Sequence, residues 1–292
     1  MRKRIGVITP TISPFRKGSV DEEAVGTLAS FLKRSGVKGI FPCGSTGCAP
    51  LMDAEQQISV IKAFSDSLPR GMKAFTGIGR NSIKETLRVA NAAIKSGADA
   101  LVLVTPYYIR MGPDEIIRYY DSLLSRIDAK VIAYSIPQMT GNSITPEMFM
   151  RISKRHRNMI GIKDSSSDMD NFEGLCASIP DDMLVLQGED NMLLQSLALG
   201  ASGGICGTTN FMDKAVRLFD AYSEKEKRKA ESLQLSIGRD MKILSKVEFP
   251  LAYHYMFYKK LMHQSAINAL HPFYRNDAAY IRETAKRLSP LL

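Results

Sequence analysis

Eight short apolar runs recur along the chain at intervals of about 20 to 35 residues, and no other feature narrows the possible folds so far. They are GVITP (6–10), VKGIFPCG (37–44), KAFTGIG (73–79), ALVLVTP (100–106), KVIAYSIP (130–137), MIGIKDS (159–165), MLVLQG (183–188) and SGGICGTT (202–209). Each is continuously apolar instead of alternating, which describes strands buried on both faces, as in a parallel sheet covered by helices. Amphipathic segments lie between them. Asp53-Ala-Glu-Gln56 and Ser82-Ile-Lys-Glu85 read as capping boxes that open two of these helices. A Gly that ends one helix and turns the chain into the next strand recurs in SGVKGI (35–40), SGADAL (96–101) and LGASGGI (199–205). Strand-then-helix units in unbroken series predict an α/β chain closed into a (β/α)8 TIM barrel. No GxGxxG opens a helix, so the open dinucleotide-binding sheet lacks its signature. The eighth unit ends near Tyr222. We expect a barrel over 1–225 and extra C-terminal helices packed on it over 226–292, punctuated by Pro250, Pro272 and Pro290.

At 292 residues the chain is long enough for two ordinary domains or for one barrel of about 250 residues. No stretch approaches the roughly 20 apolar residues that span a bilayer. The basic start MRKR leads into only five apolar or small residues before Pro10, so we expect no secretion signal and no membrane partner. Cys43, Cys48, Cys176 and Cys206 lack CxxC spacing and read as reduced, small hydrophobes in a cytoplasmic protein. From Lys214 onward 15 Lys and Arg face 8 Asp and Glu, so most of the net charge of +9 lies there. The densest run, EKEKRKAE (224–231), interleaves both signs as a solvated helix face does, and no nucleic-acid partner is expected.

Barrel enzymes place their chemistry at the C-terminal ends of the strands. Those ends carry Thr9, Gly44-Ser45-Thr46-Gly47, Tyr107-Tyr108, Tyr134, Lys163, Gly188-Glu189-Asp190 and Gly207-Thr208-Thr209. Lys163 sits inside an apolar strand, and alternation points it the same way as Gly161 and Ser165. Desolvation in a barrel mouth disfavours the ammonium relative to the neutral amine, which can attack a carbonyl to form an imine. The alternatives are a lysine reaching to solvent or one paired with Asp164. Tyr134 is either a core tyrosine or a proton relay. The Gly44–Gly47 turn offers successive N–H groups and two hydroxyls to a carboxylate, or is an ordinary strand-to-loop turn. His156, His254, His263 and His271 are the only histidines and none closes a strand, so no His-ligated metal is expected. Asp190 reads best as an N-cap before Asn191-Met192-Leu193.

Taken in order, Thr9-Pro10, Gly44-Ser45-Thr46-Gly47, Thr105-Pro106-Tyr107-Tyr108, Tyr134-Ser135-Ile136-Pro137, Gly161-Ile162-Lys163-Asp164 and Leu199-Gly200-Ala201-Ser202-Gly203 resemble the pyruvate-dependent class I aldolases. That family includes dihydrodipicolinate synthase, N-acetylneuraminate lyase and the 2-keto-3-deoxygluconate aldolases. The likeness spans roughly 1–265. It implies that Lys163 forms the imine, that Tyr134 shuttles the proton, and that Thr46 links Tyr134 to Tyr108. It also implies a homotetramer built as a dimer of dimers, in which Tyr108 reaches the neighbouring subunit's site. Ser45 and Thr46 would hold the substrate carboxylate, with Ile136, Ser165, Gly188 and Ile205 completing the binding set. No cofactor is implied.

Two departures bear on the substrate. Dihydrodipicolinate synthases usually carry Glu after the GTTG turn and an Arg two residues after the Pro of the tyrosine strand, where it grips a carboxylate. Here the positions hold Cys48 and Met139, and a thioether makes no charge-assisted bond. The chain looks more like the 2-keto-3-deoxygluconate aldolases of the branched Entner–Doudoroff pathway, in which Arg110 would meet a 6-phosphate. The expected reaction is therefore cleavage of 2-keto-3-deoxygluconate, and also of its 6-phosphate, to pyruvate and glyceraldehyde or its phosphate. The rivals are the same chemistry on aspartate semialdehyde or a sialic acid, and a non-catalytic barrel that binds through its basic C-terminal region.

Overall fold

The computed structural model describes residues 2–267 and 277–292; His271 and Pro272 lie outside the described residues. The apolar runs form eight parallel strands closed into a barrel: β1 Gly6–Pro10, β2 Gly39–Phe41, β3 Lys73–Gly77, β4 Ala100–Val104, β5 Val131–Ser135, β6 Met159–Asp164, β7 Leu184–Gln187 and β8 Gly203–Ile205. The ring closes where β8 pairs with β1, Ile205 beside Ile8. The helices that follow the strands in turn are α1 Glu22–Arg34, α2 Ala54–Asp66, α3 Ile83–Lys95, α4 Pro113–Leu124, α5 Pro146–Ser153, α6 Met169–Ser178, α7 Leu193–Ala198 and α8 Lys214–Ser223. A small antiparallel ribbon, Phe15–Arg16 against Ser19–Val20, is inserted after β1, where no apolar run marks it.

The strands are apolar throughout because both their faces are buried. In β4, Leu101 and Leu103 pack outward among the helices while Ala100 and Val102 join Ile8, Phe75 and Leu186 inside the barrel. Each fully buried aliphatic side chain of this kind contributes about 1.5–3 kcal/mol.

Local signals start and stop the helices much as the sequence indicates. Asp53 accepts the Gln56 N–H at 2.8 Å and Gln56 Oε1 accepts the Asp53 N–H at 3.0 Å, a complete capping box on α2. At α3 the expected box is only half made. Ser82 Oγ accepts the Glu85 N–H at 3.4 Å, but the Glu85 carboxylate reaches 3.6 Å to Arg88, one turn on, instead of turning back. Gly36, Gly97 and Gly200 end α1, α3 and α7 with φ of 78°, 81° and 100°, the left-handed conformation that side chains with a Cβ disfavour.

Beyond α8 come α9 Lys227–Leu244, α10 Leu251–Leu261 and α11 Ala278–Leu288. The charged face of α9 is laced by Lys229–Glu226 at 2.6 Å and Lys227–Glu231 at 3.9 Å. Every residue of α10 from Leu251 to Tyr258 is buried. That burial fixes the residues just before the helix, Phe249 and Pro250, at the barrel mouth. Among the described residues no helix is long and apolar enough to cross a membrane.

Candidate active site

Lys163 pairs across β6 with Tyr134 on β5 and Leu186 on β7, and both of these neighbours face the barrel interior. Adjacent residues of a parallel ladder point the same way, so Lys163 points inward too. It is buried, with Nζ 4.0 Å from the centre of the Tyr134 ring and 4.9 Å from that of Phe41. Both ring faces thus stand within cation–π reach of the amine. The Lys163–Asp164 pairing does not form. The Asp164 carboxylate turns away to accept the Ser166 N–H at 2.8 Å, the Ser166 hydroxyl at 3.1 Å and the Asn171 amide at 3.1 Å.

Beside the lysine, Gly188 leaves room that no other residue would leave. A Cβ there would fall on Ser165 Oγ and lie 2.8 Å from Lys163 Cε. Next come two carboxyls in different settings. Burial pushes Glu189 up to about 7; Asp190 adds to the rise and Lys163 opposes it, so this group is half protonated near neutrality. Asp190 is also shifted up by burial, but Thr208 and Gly207 hydrogen bonds favour its charged form. The N-cap reading of Asp190 is corrected here. Its carboxylate accepts the Gly207 N–H at 2.8 Å, the Thr208 N–H at 2.9 Å and the Thr208 hydroxyl at 2.5 Å, tying the β7 loop to the β8 loop. The chain beyond β8 is held in turn by Thr9 Oγ1 against Thr209 Oγ1 at 2.7 Å and by Asn210, whose amide donates to the Pro10 carbonyl at 2.9 Å.

The Gly44–Gly47 turn consumes part of its own hydrogen-bonding capacity. Gly47 and Ala49 donate to the Gly44 carbonyl, each at 3.2 Å, and Cys48 donates to that of Ser45 at 3.0 Å. Among the described residues the N–H groups of Ser45 and Thr46 have no acceptor. Those two N–H groups are what such a turn presents to an anion.

A cavity of about 260 Å³ opens over the β2–β5 half of the mouth. Phe41, Tyr134 and Ile136 line its buried end, with Ser45 on its wall; Leu51, Met139 and Phe249 line its open end, 41%, 51% and 42% exposed. None of its lining side chains carries a charge. Of the expected binding set, Ser45, Tyr134 and Ile136 line this cavity. Lys163, Thr46, Ser165, Gly188 and Ile205 are not among its lining residues, although Lys163 Nζ lies against the rings of Phe41 and Tyr134, which are.

The loop after β4 carries the other expected residues. Tyr107 lines the cavity, whereas Tyr108 is 91% exposed with φ of 78°. Within this one chain Thr46 bonds to neither Tyr134 nor Tyr108, so the relay expected of the three is not assembled inside a single subunit. Arg110 is exposed outside the cavity, its Cγ close over Gly141. The loop is held by a buried side chain that belongs to none of the sequence motifs, Asn142. Its amide donates to the carbonyls of Pro106 at 2.7 Å and Ile109 at 2.9 Å, and its oxygen accepts the Met111 N–H at 2.8 Å. Among the described residues no three His, Cys, Asp or Glu side chains are grouped to hold a metal ion.

The model of the dihydrodipicolinate synthetase family matches residues 3–286. The 2-dehydro-3-deoxy-D-gluconate/2-dehydro-3-deoxy-phosphogluconate aldolase of Picrophilus torridus is 36% identical over 243 residues, 83% of this chain and 90% of that protein. A 4-hydroxy-tetrahydrodipicolinate synthase from a Hydrogenobaculum species is 32% identical over 220 residues, 75% of this chain and 76% of its own. Among solved structures, the 2-keto 3-deoxygluconate aldolase from Picrophilus torridus matches with a TM-score of 0.84 at 36% identity, covering 89% of this chain and 93% of that one.

Proposed function

The chain belongs to the dihydrodipicolinate synthetase family and is a pyruvate-dependent aldolase, and from that premise we propose that it cleaves 2-keto-3-deoxygluconate to pyruvate and glyceraldehyde through an imine on Lys163. Such a reaction would serve a branched Entner–Doudoroff pathway. The observation that carries the choice of substrate is the uncharged cavity. Aspartate semialdehyde would bring a carboxylate and an ammonium among Leu51, Met139 and Phe249 with no opposite charge to meet them. A neutral aldehyde brings hydroxyls but no charge to bury, so its cost is smaller. The same argument ranks the free sugar acid above its 6-phosphate. Relatives named 4-hydroxy-tetrahydrodipicolinate synthase keep aspartate semialdehyde as the rival to be assayed.

In this reading the Lys163 amine leaves the two ring faces and attacks the ketone, losing water to give a protonated imine. Ser45 and Thr46 hold the substrate carboxylate through N–H groups that the turn leaves without acceptors. Tyr134 removes the proton from the hydroxyl two carbons beyond the imine carbon. The carbon–carbon bond then breaks and its electron pair moves into the imine, leaving an enamine. Reprotonation and hydrolysis release pyruvate and restore the amine. The exposed run Tyr108, Ile109 and Met111 supports assembly into a homotetramer, in which Tyr108 enters a neighbouring site; sedimentation tests that part.

Incubation with pyruvate and borohydride, followed by peptide mapping, tests the imine. The adduct is expected on Lys163, and Lys163→Ala should lose it along with at least roughly 10⁴-fold in kcat. An adduct elsewhere, or a variant that still turns over, would overturn the assignment. Initial rates with pyruvate and glyceraldehyde against pyruvate and aspartate semialdehyde decide the acceptor.

A further inference from the structure

The cavity changes character along its length. Its hydroxyls belong to Ser45, Tyr107, Tyr134 and Thr140, and the last is spent on the carbonyls of Ile136 at 3.1 Å and Asn142 at 2.9 Å. Toward solvent the lining is Pro50, Leu51, Met139 and Phe249, while Cys48, Ala49 and Pro250 are buried. Phe249 is packed edge-on against Tyr253, ring centres 5.6 Å apart, so this wall has a fixed shape at that point. Met139, also on the lining, is unbranched and adapts its shape to what it meets. A polyhydroxylated tail would lose water against these side chains and gain no hydrogen-bond partner from them. An apolar tail of similar length would bury surface at no such cost.

We propose that the outer half of the cavity is an acceptor subsite for aldehydes with an apolar substituent, so that the protein joins pyruvate to unbranched aliphatic aldehydes as well as to glyceraldehyde. The proposal rests on the Lys163 imine. Loss of a methyl proton from the pyruvate imine gives the enamine. Its terminal carbon attacks the aldehyde carbon, the new carbon–carbon bond forms, and the carbonyl π pair moves to the aldehyde oxygen, which takes a proton from Tyr134. Water then hydrolyses the iminium, freeing the Lys163 amine and a 4-hydroxy-2-keto acid that contains every atom of the two reactants.

The test is kcat/KM for propanal, butanal and pentanal with saturating pyruvate, beside D-glyceraldehyde, with products identified by mass. We expect kcat/KM to rise by roughly threefold or more with each added methylene. The double variant Leu51→Ser with Met139→Ser should flatten that rise. A flat or falling series with glyceraldehyde still reacting would overturn this subsite and leave the sugar-acid reading standing. A rising series without reaction of glyceraldehyde would support the subsite and overturn the sugar acid. No reaction with any aldehyde, while borohydride still traps pyruvate on Lys163, would overturn both. A slope unchanged in the double variant would overturn the location.

Discussion

The two sides of the barrel mouth are built on opposite plans. From β6 round to β1, polar groups are buried and bonded to one another: Asp164 to Ser166 and Asn171, Asp190 to Gly207 and Thr208, Thr9 to Thr209. Across β2 to β5 the mouth is an uncharged cavity whose outer wall is partly exposed carbon and sulfur. Buried hydrogen-bonded networks admit few arrangements, because every displaced partner leaves an unpaired group. Apolar contacts are tolerant of shape. On the function proposed above, the contrast suits an enzyme whose first substrate is constant and whose second varies: the side proposed to position the amine is over-determined, and the side proposed to meet the acceptor is adaptable.

The largest blow to the rigid side short of removing the amine should come from Gly188→Ala. The added Cβ lands on Ser165 Oγ and 2.8 Å from Lys163 Cε, so one of the two must move. Misplacement of a reacting group by about an ångström costs on the order of 100-fold, and we expect kcat to fall by at least that much with the fold retained by circular dichroism. A near-normal kcat would mean that Lys163 tolerates more freedom than its packing implies. Asp190→Ala should come next. It strands two N–H groups and a hydroxyl that now share one carboxylate, and we expect about 2 kcal/mol lost in urea unfolding, water entering the gap having restored the rest. Asp190→Asn keeps an acceptor oxygen and should lose about half as much.

Much of the fold could be read in advance because it rests on local regularities. Continuous apolar runs became β1 to β8, and Gly36, Gly97 and Gly200 took the left-handed conformation that helix ends favour. Alternation about Gly161 correctly turned Lys163 inward. What escaped depends on contacts between distant segments. Asn142 looks like any loop residue until its amide meets Pro106 and Ile109, some 35 positions away. Asp190 looks like a cap for its own turn until the β8 loop arrives. Phe249 and Pro250 reach the cavity only because α10 is buried on every side. Periodicity reports which face of an element is buried, and is silent about which loop lies above it.

Within the rigid side, next to Asp190, sits Glu189, which can be used to titrate the comparison. Burial raises its carboxyl from the usual 4.5 to about 7. The folded protein therefore binds a proton that the unfolded chain has released between those values, and stability falls as pH rises through that window. Glu189→Gln removes the titration. We expect the variant to match the wild type below about pH 4.5 and to exceed it by about 1–2 kcal/mol above pH 7, read from urea unfolding across the range. A constant difference at all pH values would place Glu189 in a wetter setting and shift the boundary of the rigid side back to Asp190.

The smallest effect expected is that of Arg110→Ala, and its sign sharpens the account of the adaptable side. Arg110 is exposed beyond the cavity and lies close over Gly141, near the open end marked by Met139. With 2-keto-3-deoxygluconate we expect kcat/KM within about twofold of the wild type, since an exposed cation outside an uncharged cavity adds little. With the 6-phosphate, whose terminal dianion would extend toward solvent, the variant should lose about three- to tenfold, all of it in KM, and the loss should shrink at high salt. Equal and small effects on both substrates would make Arg110 a solvated loop residue, leaving the phosphate without any cation at this end. A loss confined to kcat would point instead to an effect on the loop that carries Tyr107 into the cavity, and through it on the bond-breaking step itself.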